Sequence, residues 1–151
     1  MIRRSTPIRR NVVPIRRPQA KHAAPNEHWR KWLRSWPCFI CFRQHCLNYS
    51  IPLLAACSNP EAREYYKRNW SLEICGKTEA AHVGSKGTGQ KCAERDMMPL
   101  GLRHHRHPTD GGFPDSHHAG TRTFWGKHGI ERLEVLDMLR GIYFVETGRE
   151  I

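Results

Sequence analysis

The chain has 151 residues, 38% of them hydrophobic, and its 25 Lys and Arg outnumber 14 Asp and Glu to give a net charge of +11. That length suits one small domain with tails, and a mean hydropathy of −0.69 excludes a large core. The charge favours a polyanionic partner, nucleic acid first and an anionic membrane surface second. No apolar run is long enough for a membrane span, and "IPLLAAC" is too short for one.

Residues 1–25 carry "PIRR" twice, at 7–10 and 14–17. Their prolines and cations leave no helical or strand period, so this stretch reads as a disordered basic arm. Each arginine that meets a phosphate releases a counterion, so a phosphate-gripping arm is favoured over a solvated tail. No apolar stretch follows these cations, so no signal peptide is expected. The six cysteines, Cys38, Cys41, Cys46, Cys57, Cys75 and Cys92, are then expected in the reducing cytoplasm, where Cys-x-x-Cys reads as metal or redox chemistry.

Residues 26–151 read as one domain. In "NEHWRKWLRSW", Asn26 can cap, Glu27 suits the first turn, and Trp29, Trp32, Leu33 and Trp36 repeat at three and four. That pattern predicts an amphipathic helix with its tryptophans in the core. "PCFICFRQHC" reads as a knuckle, two cysteines around a tight turn. "SNPEAREYYKRNW" reads as a helix capped by Ser58 or Asn59 with Pro60 in its first turn. "SLEICGKTEAAHVG" suits a strand or hairpin, "SKGTGQKCAER" a Gly- and Lys-rich loop, and "DMMPLGL" a second strand. "HPTDGGFPDSHHAG" is a long loop. "TRTFWGKHG" reads as a helix stopped by Gly129. In the last segment, Ile130, Leu133, Val135, Leu136, Leu139 and Ile142 make a helical core stripe. The fold class expected is α+β: a small core of hairpin, loop and helix, with flanking helices and the basic arm.

The chemistry concentrates in the centre. His82 ends an apolar stretch, Asp96 follows the basic loop, and "PLGLRHHRH" packs His104, His105 and His107 into four positions. Imidazoles and a carboxylate bridged by a turn can converge on one divalent ion such as Zn²⁺, Mn²⁺ or, with waters, Mg²⁺. A solvated histidine cluster in a loop is the alternative.

The run "EAAHVGSKGTGQKCAERDMMPLGLRHHRH…HHAGTRTFWGKHGI" resembles the phage-encoded branch of the HNH nucleases over roughly residues 36–130. The resemblance implies a ββα-metal (HNH-type) fold, a hairpin and helix clasping one divalent ion. Residues 42–74 are then an insertion between the knuckle and the hairpin. His82 takes the place of the general base, and Asp96 that of the residue that orients the base or touches the metal. His105 and His117 take metal-ligand places, with His118 the fallback for His117. Lys86, Lys91, Arg95 and Arg103 are placed to hold nucleic-acid phosphates. Mg²⁺ or Mn²⁺ is the implied active-site metal, and Zn²⁺ the implied structural one. Two positions depart from the pattern. Ala81 stands where many relatives place a metal-binding Asp or His. Gly101 stands where the family often has a cysteine that closes the zinc site with Cys38 and Cys41. His104 is then the third zinc ligand and Cys75 the nearest substitute for the fourth, with Cys46 and Cys57 the other choices; loss of the zinc, leaving buried thiols, is the alternative.

The function expected is a metal-dependent endonuclease hydrolysing phosphodiesters, DNA first, in phage recombination, repair or packaging. The host cytoplasm is its expected location. Ala81 sustains an alternative, a non-catalytic zinc-stabilised nucleic-acid-binding protein. A Cys-x-x-Cys redox protein is a third, weakly supported by the pattern.

Overall fold

The computed structural model describes residues 26–84, 93 and 95–151. The expected basic arm, the loop cations Lys86 and Lys91, and Cys92 lie outside the described residues.

The first helix, α1 (Glu27–Ser35), forms where its signals predict. The Asn26 side chain accepts from the Trp29 amide at 3.0 Å, and Glu27 sits in the first turn. This satisfies an amide left orphaned at the helix start. Trp29 and Leu33 are fully buried. Trp29 stacks on Trp32 at 5.2 Å and meets the edge of Tyr143 at 5.0 Å. Tyr143 belongs to the last helix, α8 (Arg132–Thr147), whose buried face is Leu136, Leu139, Ile142 and Tyr143. Leu133, expected in that stripe, is exposed: it lies in the first turn of α8, on the solvent side of the face that begins at Leu136.

The "PCFICFRQHC" segment is not a knuckle around a tight turn. Cys38 is the N-cap of α2 (Phe39–Asn48), and Cys41 lies in its first turn. A spacing of three puts both thiols on one helix face, so a helix brings them together as well as a turn does. The Cys38 amide donates to Ser71 Oγ at 2.9 Å. Four helical pieces follow: α3 (Leu53–Cys57), α4 (Pro60–Tyr66), a π-helical turn (Lys67–Ser71) and α5 (Leu72–Cys75). Asn59, not Ser58, caps α4 by accepting from the Glu61 and Ala62 amides, with Pro60 in the first turn. The stretch expected as strand from Ser71 is helical up to Cys75. Gly76, at φ +77°, then reverses the chain, a conformation that favours glycine.

Residues 42–74 are tied to the rest by buried groups. Phe42, Cys46, Cys57 and Tyr66 are in the core. Arg63, 6% exposed, spans three partners. It pairs with Glu146 of α8 at 2.7 Å, lies over the Trp36 ring at 4.3 Å and donates to the Cys57 carbonyl. A guanidinium so buried is sustained by pairing, since an unpaired buried charge costs several kcal/mol.

The sheet is an antiparallel pair, β1 (Thr78–His82) and β2 (Met97–Gly101). Its register places Thr78 opposite Gly101, Ala81 opposite Met98 and His82 opposite Met97. Every residue of β2 is buried, because α1, α2 and α8 all pack on it. The chain passes from β2 directly into α6 (Leu102–His105). A loop with a 3-10 turn (Pro108–Asp110) leads to α7 (Thr121–His128), which ends at Gly129 with φ +57° as its sequence predicts. The architecture is therefore α+β, helices around a two-stranded antiparallel sheet. Among the described residues no helix is long and apolar enough to cross a membrane.

Candidate functional site

Cys38, Cys41, Cys75 and His104 come together, their ligand atoms all within 4.8 Å of one another. His104 Nδ1 lies 3.4 Å from Cys38 Sγ, 3.6 Å from Cys41 Sγ and 3.0 Å from Cys75 Sγ. A tetrahedron with Zn–S of about 2.3 Å and Zn–N of about 2.0 Å has S···N edges of roughly 3.5 Å. The four donors thus fit a closed site for a metal such as zinc. Three elements supply them: the start of α2, the end of α5 and the helix after the hairpin. The three cysteines are fully or almost fully buried.

The four groups perturb one another strongly. Burial pushes the Cys38 thiol up, but hydrogen bonds with Cys41, Cys75 and His104 outweigh it and hold Cys38 well below the ordinary thiol value. Cys41 is pushed the other way, first by its contacts with Cys38 and Cys75 and then by burial. Burial lowers His104, yet the neighbouring Cys38 and Cys75 raise it to about 10. Thiolate is the form that binds metal, and the N-terminal end of α2 adds favourable dipole at Cys38.

Gly101 explains why Cys75 is the fourth member. A Cβ on Gly101 would lie 2.8 Å from Cys75 Cβ, 3.0 Å from its carbonyl oxygen, and closer still to its sulfur. The bare α-carbon of β2 is what admits the Cys75 side chain. Cys46 and Cys57 are buried outside the set; Cys57 is pushed up to about 12, chiefly by burial.

His105 turns away from its neighbour. Its Nδ1 lies 2.7 Å from Glu79 Oε2, and Arg106 binds the other carboxylate oxygen at 2.7 Å. Burial pushes the Glu79 carboxyl up, but the Arg106 and His105 hydrogen bonds outweigh it and hold Glu79 below the usual carboxylate range. A carboxylate behind Nδ1 fixes the orientation of the ring. His118 stands 4.5 Å from the His105 ring and His117 6.4 Å away. Backbone bonds from the His117 amide to the His104 carbonyl (2.8 Å) and from the His118 amide to the His105 carbonyl (3.2 Å) hold this loop against α6. Glu79 was missed from sequence. Its signal was a carboxylate inside the apolar strand "TEAAH", two residues before Ala81 and so on the same face of the strand.

The other expected residues are more spread out. His82 ends β1 and is half-buried. Asp96 pairs with Arg140 of α8 at 3.6 Å, and its carbonyl accepts from the Val83 amide. Arg95 is exposed, and its carbonyl accepts from Arg140. Arg103 donates to the Ile74 carbonyl at 3.2 Å while its guanidinium stays at the surface. His107 caps the 3-10 turn at the Thr109 amide. Among the described residues, the Cys₃His group is the one set of three or more such side chains within mutual ligand distance. The divalent ion implied at His105, His117 and Asp96 therefore finds no ready-made ligand set there. No protein-family model, curated protein or solved structure matches this chain.

Proposed function

We propose that the protein is a zinc-stabilised, HNH-like phosphodiesterase acting on nucleic acid, DNA first. The observation that carries the reading is the division of labour in one turn: His104 joins the three cysteines, while the adjacent His105 faces Glu79 on the hairpin. A hairpin running straight into a short helix that serves a metal set on one side and a carboxylate–imidazole pair on the other is the arrangement expected of a ββα-metal core. Zinc at Cys38, Cys41, Cys75 and His104 would lock α2, α5 and α6 together and so hold His105 against β1. His82 is the proposed base, taking a proton from the attacking water at its imidazole. Glu79 orients His105, and exposed Arg95 and Arg103 meet phosphate oxygens.

Two observations favour a second reading, a nucleic-acid-binding protein that does not cut. Ala81 is fully buried, and Asp96 is engaged by Arg140. Supercoiled-plasmid nicking across a Mg²⁺ and Mn²⁺ titration decides between them. Wild type should nick. His82→Ala should lose about 10²–10⁴-fold in rate while still binding DNA, as a general base contributes to the reaction rather than to the bound complex. His105→Ala should lose metal dependence and rate together. A wild type that binds DNA but cuts no substrate with any divalent metal supports the second reading and overturns the first.

A further inference from the structure

The helices before the hairpin, together with His104, Phe113 and His128, line an open cavity of about 480 Å³ whose wall includes the zinc ligands Cys41 and His104. Its wall is aromatic. The His45 ring sits 4.7 Å from both Tyr49 and Tyr66 and stacks on Trp70 at 5.3 Å and 30°. Trp70 is 37% exposed and Tyr49 69%, so two large rings are held at the opening rather than consumed by the core. Two amides of α2, Gln44 and Asn48, stand at the same opening and bond each other at 2.8 Å. They are exposed and supply both donors and acceptors. On the rim, Arg103 bonds the Ile74 carbonyl and lies 5.9 Å from the Phe113 ring, both cavity residues. None of the residues lining the cavity is acidic.

These features together specify a ligand: a flat ring to stack, polar groups on its edge, and an attached anion. Cavities that bind small molecules run from about 300 to 1,000 Å³, so this one has room for such a group. We propose that the cavity receives one unpaired nucleobase, stacked against the exposed part of Trp70, with its edge at Gln44 and Asn48 and its phosphate toward Arg103. A base inside a duplex cannot reach such a cavity without being extruded, which costs pairing and stacking energy. The site therefore favours single-stranded or locally opened nucleic acid. This inference rests on the nucleic-acid reading above but not on cleavage. It places the selecting surface mainly on residues 44–74, sharing Arg103 with the phosphate contacts proposed above.

The test uses the zinc-loaded full chain, a labelled single-stranded oligodeoxynucleotide and the duplex of the same sequence, read by fluorescence anisotropy. Tryptophan emission is followed in parallel. Wild type should prefer the single strand, with emission quenched on binding. Trp70→Leu should weaken single-strand binding about tenfold and abolish most of the quenching, because stacking on an aromatic side chain contributes about that much per base. Its duplex binding should stay within about twofold. Asn48→Ala, at an exposed position with no core packing, should weaken single-strand binding severalfold. It decides the matter if Trp70→Leu loses its zinc. Single-strand binding that neither substitution changes, or equal losses on both nucleic acids, overturns the cavity assignment while leaving nucleic-acid binding intact. Absence of binding to either nucleic acid overturns both.

Discussion

Gly101→Ala tests the metal site at its tightest point. The new Cβ would stand 2.8 Å from Cys75 Cβ and 3.0 Å from the Cys75 carbonyl oxygen. Ordinary carbon contacts lie at about 3.5–4.0 Å, so the two segments must separate by roughly 0.7 Å or more. Zinc ligands tolerate only about 0.2 Å. Rotating the Cys75 sulfur aside relieves part of the clash but takes the ligand away. Structural zinc contributes about 10–16 kcal/mol in small domains. Shared over four ligands, the loss of one amounts to about 3 kcal/mol, on the order of a hundredfold in affinity. Competition with a chromophoric chelator measures this directly, and the visible spectrum after cobalt substitution reports how many sulfurs remain. Gly101→Cys combined with Cys75→Gly moves the sulfur to the other side of the same contact. It should recover much of the affinity lost in Gly101→Ala. Wild-type zinc affinity in Gly101→Ala would refute the reasoning, since Cys75 could not then be a ligand across the bare α-carbon of residue 101.

Three further outcomes are expected. Glu79→Gln should leave zinc content unchanged but lower nicking by about 10–100-fold, the range seen when a carboxylate behind a functional histidine is lost; unaltered nicking would remove Glu79 from the site. Because the folded Glu79 carboxyl is held below its usual value, its stabilisation is present above the ordinary carboxylate range and lost as pH falls through the depressed value, so acid unfolding monitored by circular dichroism should be less steep in Glu79→Gln. On the alkaline side, Cys57 keeps its proton up to about 12 in the fold, whereas an unfolded thiol loses it near about 8.5. Stability should therefore fall as pH rises between those values, and Cys57→Ala should reduce that slope. Finally, removal of residues 1–25 should flatten the dependence of log K on log salt for DNA without changing the melting temperature, each lost phosphate contact removing about 0.9 from the slope; an identical slope would show that the arm makes no phosphate contact.

The local signals in this chain were legible because their causes are local. Asn26 and Pro60 act within one helical turn, the Trp29–Trp36 spacing defines a face by itself, and Gly129 stops α7 through its own φ. "DMMPLGL" reads as a strand because it is short and apolar. The union of Cys38, Cys41 and His104 was also readable, from residue type and a family pattern, with Cys75, Cys46 and Cys57 as candidates for the fourth place. Tertiary structure decided four other things. The Cys38–Cys41 segment became a helix, since a spacing of three satisfies a helix and a knuckle equally and only packing against Ser71 and β2 separates them. Leu133 was left in solvent because the stripe on α8 says which residues share a face, not where the core begins. The choice of Cys75 over Cys46 and Cys57, and the pairing of Glu79 with His105, depend on distances between elements. Cys75 and His104 are 29 residues apart and Cys38 and His104 66 apart. What brings their side chains within bonding distance is the register of one two-stranded sheet and the absence of a single Cβ at Gly101, neither of which any stretch of sequence carries alone.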